Sequence, residues 1–120
     1  MSLKVEISDT PDKLEYGLMF RHKLGEENGM IFKFNYPRKL NFWGLNTYIP
    51  LDIAFVDTNN KISKISHISP LSTKIVNSDT ICNIAIETNY NYFKKNKIKV
   101  GDTISFKKLT DKIGYVWFKV

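Results

Sequence analysis

Leu3, Val5 and Ile7 alternate with Lys4, Glu6 and Ser8, the period-two pattern of a strand with one buried face. Thr10-Pro11-Asp12 then reads as a helix start: a capping hydroxyl, a proline at the first helical position, and an acid at the positive end of the dipole. Gly17 limits that helix to two turns. Met30, Phe32 and Phe34 share one face of a second strand, and Asn35 to Asn41, with Pro37, reads as loop. Phe42-Trp43 opens a further strand. Leu51 to Val56 is the clearest strand in the chain, closed by Asp57-Thr58-Asn59-Asn60, whose asparagines tolerate the positive φ of a hairpin turn. Isoleucines at 62, 65 and 68 break strict alternation between Lys61 and Ile68 and predict a bulge. Thr80 to Glu87 is another strand. Thr88 or Asn89 caps a short helix carrying Tyr92 and Phe93, and Thr103 to Phe106 pairs with Gly114 to Val120 across the turn at Thr110-Asp111-Lys112.

Seven or eight short strands at spacings of about 8–12 residues, with two short helices, predict an all-β antiparallel sandwich or barrel over a βαβ fold. A length of 120 residues suits one domain spanning 1–120. One cysteine, Cys82, excludes an internal disulfide and reads as a buried, inert thiol in mid-strand.

The net charge of +6 is unevenly placed. Residues 1–93 balance ten basic against ten acidic side chains, whereas residues 94–120 carry eight lysines against Asp102 and Asp111. Sixteen of the eighteen basic residues are lysine, and arginine is the residue that reads phosphates and base edges bidentately. The lysines therefore read as a solubilising face, and no specific nucleic-acid partner is expected. No apolar run reaches the ~20 residues of a membrane helix, and the alternating start lacks the apolar block of a signal peptide. The expected location is cytoplasmic.

Most familiar catalytic sets lack their parts. His22 and His67 are the two histidines, no paired-ligand spacing for a metal occurs, and neither a P-loop nor a Gly-x-Gly-x-x-Gly is present. No cofactor or metal is expected. What remains is a set of polar groups beside aromatics: Arg21 after Leu18-Met19-Phe20, Trp43 and Asn46 ahead of Pro50, Asp52 at the start of a strand and Glu87 at the end of another. Arg21 paired to Asp52 or Glu87 either orders loops or orients a ligand against an aromatic face.

Tyr16-Gly17-Leu18-Met19-Phe20-Arg21, Gly29-Met30-Ile31-Phe32, Phe42-Trp43 with Asn46-Thr47, and Ile49-Pro50-Leu51-Asp52-Ile53-Ala54-Phe55, in that order, resemble the bacterial family called domain of unknown function 192. Ile86-Glu87 and Lys99-Val100-Gly101-Asp102 fit its closing strand and turn, so the family-like core runs from about 7 to 106, with 107–120 as a β extension. The resemblance implies a compact β-sandwich or barrel of jelly-roll type and no assigned activity. Many relatives carry an export signal or lipoprotein leader. The positions that match its motifs are Arg21, Trp43, Asn46, Thr47, Asp52 and Glu87. Where relatives usually read Trp-Met-Lys-Asn-Thr this chain has Trp43-Gly44-Leu45-Asn46-Thr47, which removes a cation and weakens any anion site.

Three classes of function follow. The first is a non-enzymatic domain binding a small polar ligand, such as a sugar, through Arg21, Trp43, Asn46, Thr47, Asp52 and Glu87. The second is a hydrolase using Asp52 and Glu87 as paired carboxylates ~5–10 Å apart. The third is an interaction module that self-associates through the aromatic C-terminal strand, edge to edge.

Overall fold

The alternation at the N-terminus becomes β1 (Ser2–Ser8), in a computed structural model that describes residues 2–119. The capping signal gives α1 (Pro11–Tyr16): the Thr10 hydroxyl accepts the Lys13 N–H at 3.4 Å, and Gly17, at φ +51°, ends the helix by donating its N–H to the Lys13 carbonyl. There follow β2 (Asn28–Arg38), β3 (Asn41–Phe42), β4 (Leu51–Val56), β5 (Ile62–Ile68), β6 (Val76–Asn77), β7 (Cys82–Asn89), α2 (Tyr92–Lys95), β8 (Thr103–Lys108) and β9 (Ile113–Lys119). The protein is mainly β, as its patterning predicts, with two short helices.

Seven strands form one curled sheet in the order β5-β4-β7-β2-β1-β9-β8, a half-barrel, and β3 pairs with β6 in a separate two-stranded ladder. The curl brings its edges together at one end. Ile104 N–H reaches the Asn60 carbonyl at 2.8 Å, Ile62 N–H the Asp102 carbonyl at 2.8 Å, and Gly101 N–H the Ile62 carbonyl at 2.9 Å. Leu3, Val5, Ile31, Ala54, Ile62, Ile86, Ile104 and Val116 come from all seven strands and fill the inside of the curl together with Tyr92 and Phe93 of α2. The opposite face carries Met30, Phe32, Leu51, Ile53, Phe55 and Ala85, covered by Leu18, Leu40 and Ile49 from loops. Phe42 of β3 lies against Phe32, Phe34 and Phe55, with ring centroids 4.9, 6.3 and 5.9 Å away. With both faces buried, the central strands lose simple polar–apolar alternation, and all six residues of β4 are buried.

Four expectations need correcting. The sheet is not wholly antiparallel, because β1 and β2 run parallel, with Ile7 opposite Ile31. Residues 9–27, including α1, supply the long crossover that a parallel pair needs. The stretch read as loop from Asn35 largely continues β2 to Arg38, with the pairing to β7 broken between Lys33 and Arg38. Thr88 and Asn89 remain in β7, and α2 starts from Asn91 in the left-handed region at φ +71°. The C-terminal strand is no free edge: β9 is hydrogen-bonded to β1 on one side and β8 on the other, so β9 itself cannot pair edge to edge with a second copy. The predicted bulge is present, with Phe55 opposite Lys64 and Val56 opposite Ile62, leaving Ser63 as the extra residue. Val120, expected in the last strand, lies outside the described residues.

Because β9 carries the ladder that joins β8 to the rest of the sheet, ending the chain at Thr110 should abolish cooperative folding. Thermal denaturation followed by circular dichroism checks this; a sharp transition like that of the full chain would contradict it.

Candidate functional site

Strand register sets a row of side chains across the outer face. Glu6 of β1 stands beside Met30 of β2, Met30 beside Glu87 of β7, and Glu87 beside Ile53 of β4. Glu87 is therefore a carboxyl set between a methionine and an isoleucine, and it is 5% exposed. Burial pushes its pKa up to about 8, from an ordinary value of 4.5. It lies neutral at pH 7 and offers an O–H to whatever meets it.

Above Glu87 is a pocket of about 240 Å³, walled by Leu18, Phe32, Phe42, Trp43 and Thr47 and by the end of α1. Trp43 is 42% exposed, while the adjacent Phe42 packs into the apolar layer below. The turn that follows is tied down at several points. Gly44 donates to the Ser72 carbonyl at 2.8 Å, Thr47 N–H to the Gly44 carbonyl at 3.0 Å, and Phe20 N–H to the Asn46 carbonyl at 2.7 Å. Asn46 is left-handed at φ +54°, and a Cβ on Gly44 would stand 2.2 Å from the Ser69 carbonyl oxygen. The glycine that replaces the usual methionine thus permits the 69–72 loop to close on this turn. Asn46 acts here through its backbone, and Thr47 is buried with its hydroxyl donating to the Leu45 carbonyl at 3.2 Å.

Arg21 does not join Asp52 or Glu87. Its guanidinium pairs bidentately with Glu6, through Nη1 to Oε2 and through Nη2 to Oε1 at 2.6 Å, and this hydrogen bonding raises its pKa against the opposing effect of burial. The pair lines a neighbouring hollow of about 390 Å³ that shares Tyr16 and Gly17 with the first. Asp52 sits on the other face of the sheet. Its ladder partner is Thr88, whereas Glu87 is opposite Ile53, and successive strand residues point to opposite sides. Asp52 Oδ2 accepts the Asn91 N–H at 2.9 Å, and Oδ1 is 3.7 Å from His67 Nδ1, which also lies 2.9 Å from the Leu51 carbonyl. Desolvation raises the Asp52 pKa, opposed by the Asn91 and His67 contacts.

The expected convergence of an arginine and two carboxylates beside an indole is therefore not formed, and the Asp52–Glu87 pair cannot act across one cleft. What the fold brings together is Glu87, Trp43 and Thr47, with Arg21 in the adjoining hollow. Glu6, Tyr16 and Met30 were not among the site residues expected from the sequence. The outward parity of Lys4, Glu6 and Ser8 on β1 was the available signal for Glu6. Among the described residues no group of three or more His, Cys, Asp or Glu side chains clusters to hold a metal. Cys82 is buried, its Sγ 3.4 Å from the Ser63 hydroxyl.

Residues 1–106 match the model of a family described as an uncharacterized ancient conserved region, domain of unknown function 192. The chain belongs to this family. The match begins ahead of residue 7 and stops before β9, although β9 is an interior strand of the sheet. Among solved structures the chain is similar to a "putative transcription regulator" from Sinorhizobium meliloti 1021, at 32% identity and a TM-score of 0.82, over 84% of this chain and 79% of that one. It is also similar to a protein of unknown function from Novosphingobium aromaticivorans DSM 12444, at 30% identity and a TM-score of 0.78, over 92% and 72% of the two chains. No curated protein matches.

Asp52→Ala should lower stability by about 1–3 kcal/mol, since it strips the Asn91 N–H at the start of α2 of its acceptor; an unchanged urea midpoint would contradict this. Glu87 gives a pH signature. With its pKa raised on folding, its contribution is full below about pH 4.5 and is lost as the pH climbs towards about 8. Urea unfolding at pH 5 and pH 8.5 should show a loss of a few kcal/mol that Glu87→Gln largely removes; parallel losses in both proteins would contradict it.

Proposed function

We propose that this protein is a non-enzymatic binding domain for a small neutral polar ligand of carbohydrate type, held in the pocket between Trp43 and Glu87. The observation that carries this reading is a neutral carboxyl buried at the foot of a pocket with a half-exposed indole in its wall. Binding pockets pair apolar, aromatic walls with a few placed polar groups that fix orientation. A pyranose suits that division, with its C–H face against the indole and a hydroxyl towards Glu87. The lining contains Glu15 and Glu87 and neither lysine nor arginine, which disfavours an anion. Leu45 in place of the family's usual lysine agrees with that preference.

The reading requires no pairing between Asp52 and Glu87, and the hydrolase alternative that depended on them falls with their placement on opposite faces. Asp52 acts in this account as an anchor for α2, and Arg21 as the tie between β1 and the loop after α1.

Tryptophan fluorescence tests it. In a Trp117→Phe background Trp43 is the remaining indole, and its emission should shift saturably with glucose or N-acetylglucosamine. Glu87→Ala should weaken binding about tenfold, the worth of one buried hydrogen bond, while Glu87→Gln stays within a few-fold. Emission that ignores both sugars would overturn the reading.

A further inference from the structure

The pocket above Glu87 does not end at its own wall. Tyr16 and Gly17 line it and also line the larger hollow beside it, so one short segment at the end of α1 forms the divide between the two. Beneath that divide the floor is continuous, since Glu6, Met30 and Glu87 are successive neighbours in the register of β1, β2 and β7. At the spacing between strands, Glu6 and Glu87 are about 10 Å apart along this floor, roughly the length of two pyranose rings. Tyr16 stands over the divide with 52% of its surface exposed, and its ring lies 5.9 Å from that of Phe20, which is also half exposed.

The two hollows differ in chemistry. The Trp43 side is aromatic and carries Glu15 and Glu87, whereas the other side has a chiefly apolar lining that sets Ile7, Met30 and Tyr16 beside Asp12, Lys13, Lys112 and the Arg21–Glu6 pair. Such exposed charged groups exchange hydrogen bonds with hydroxyls readily. A single sugar fills one hollow and leaves the second, of about 390 Å³, to water.

We infer that the ligand is a linear oligosaccharide of several units that crosses the divide on Tyr16, one end against Trp43 and Glu87 and the other beside Asp12, Lys13 and the Arg21–Glu6 pair. This rests on the reading of the Trp43–Glu87 pocket and extends it from a single sugar to a chain. Tyr16 serves as the platform shared by both halves, and the second hollow supplies affinity that a monosaccharide cannot use.

Calorimetric titration of the whole chain with β-1,4-linked glucose and N-acetylglucosamine series, from one to four units, tests the inference. Affinity should rise about tenfold or more from one unit to four as the second hollow fills. Asp12→Ala/Lys13→Ala, which alters exposed residues of the second hollow alone, should flatten the series while leaving the single-sugar affinity unchanged. Clear binding of one unit with no gain from longer chains would overturn the inference and leave the pocket reading in place. So would a double variant that keeps the full gain. Absence of heat with every member of both series would overturn the pocket reading and this inference together.

Discussion

A carboxyl set between apolar side chains on the outer face of a β-sheet constrains the rest of this protein. Glu87 sits between Met30 and Ile53 in the middle of the sheet, where leucine or isoleucine would pack at less cost. An ionised carboxylate there would lose its hydration, so the group stays protonated to about pH 8. A neutral acid still needs a hydrogen-bonding partner, and the fold leaves a pocket rather than a side chain above it. The segments 14–19 and 41–47 close over this face and form the walls of that pocket. The αL turn at Asn46 and the close contact of Gly44 with Ser69 hold Trp43 in its wall.

The two faces of the sheet divide the work. The inside of the curl is closed, filled by aliphatic residues from all seven strands and by α2, and its open edges meet through backbone hydrogen bonds between residues 60–62 and 101–104. The outer face is covered by loops and the short β3–β6 ladder, and it carries the polar groups at odds with packing: Glu6 with Arg21, and Glu87. Loops over a rigid sheet provide recognition surfaces because their side chains can change without disturbing the strands beneath.

Much of the fold was legible in the pattern of residues. Capping chemistry placed α1 at Pro11, alternation placed β1, and the irregular isoleucine spacing predicted a bulge between Lys61 and Ile68, which falls at Ser63. Two features were hidden for physical reasons. The parallel pairing of β1 with β2 depends on where a crossover returns, which local periodicity does not encode. Strands buried on both faces, such as β4, lose the alternation that reveals orientation. The site suffered from the same gap. Glu87 and Asp52 were both visible as acids at strand ends, but whether they share a face depends on inter-strand register, and one residue of register decides it. Trp43, Thr47 and Glu87 line one pocket. Arg21 went instead to Glu6, because β1 lies next to β2 in the sheet and presents that carboxylate beside the loop after α1.

The account depends most on the protonation state of Glu87. Carbon NMR of protein labelled at the glutamate side-chain carboxyls reads it directly as the pH is raised. One resonance, absent in Glu87→Gln, should titrate near pH 8, far above the others. A Glu87 resonance titrating in the ordinary carboxylate range would mean that water or a cation solvates the group, and the neutral donor at the foot of the pocket would not exist.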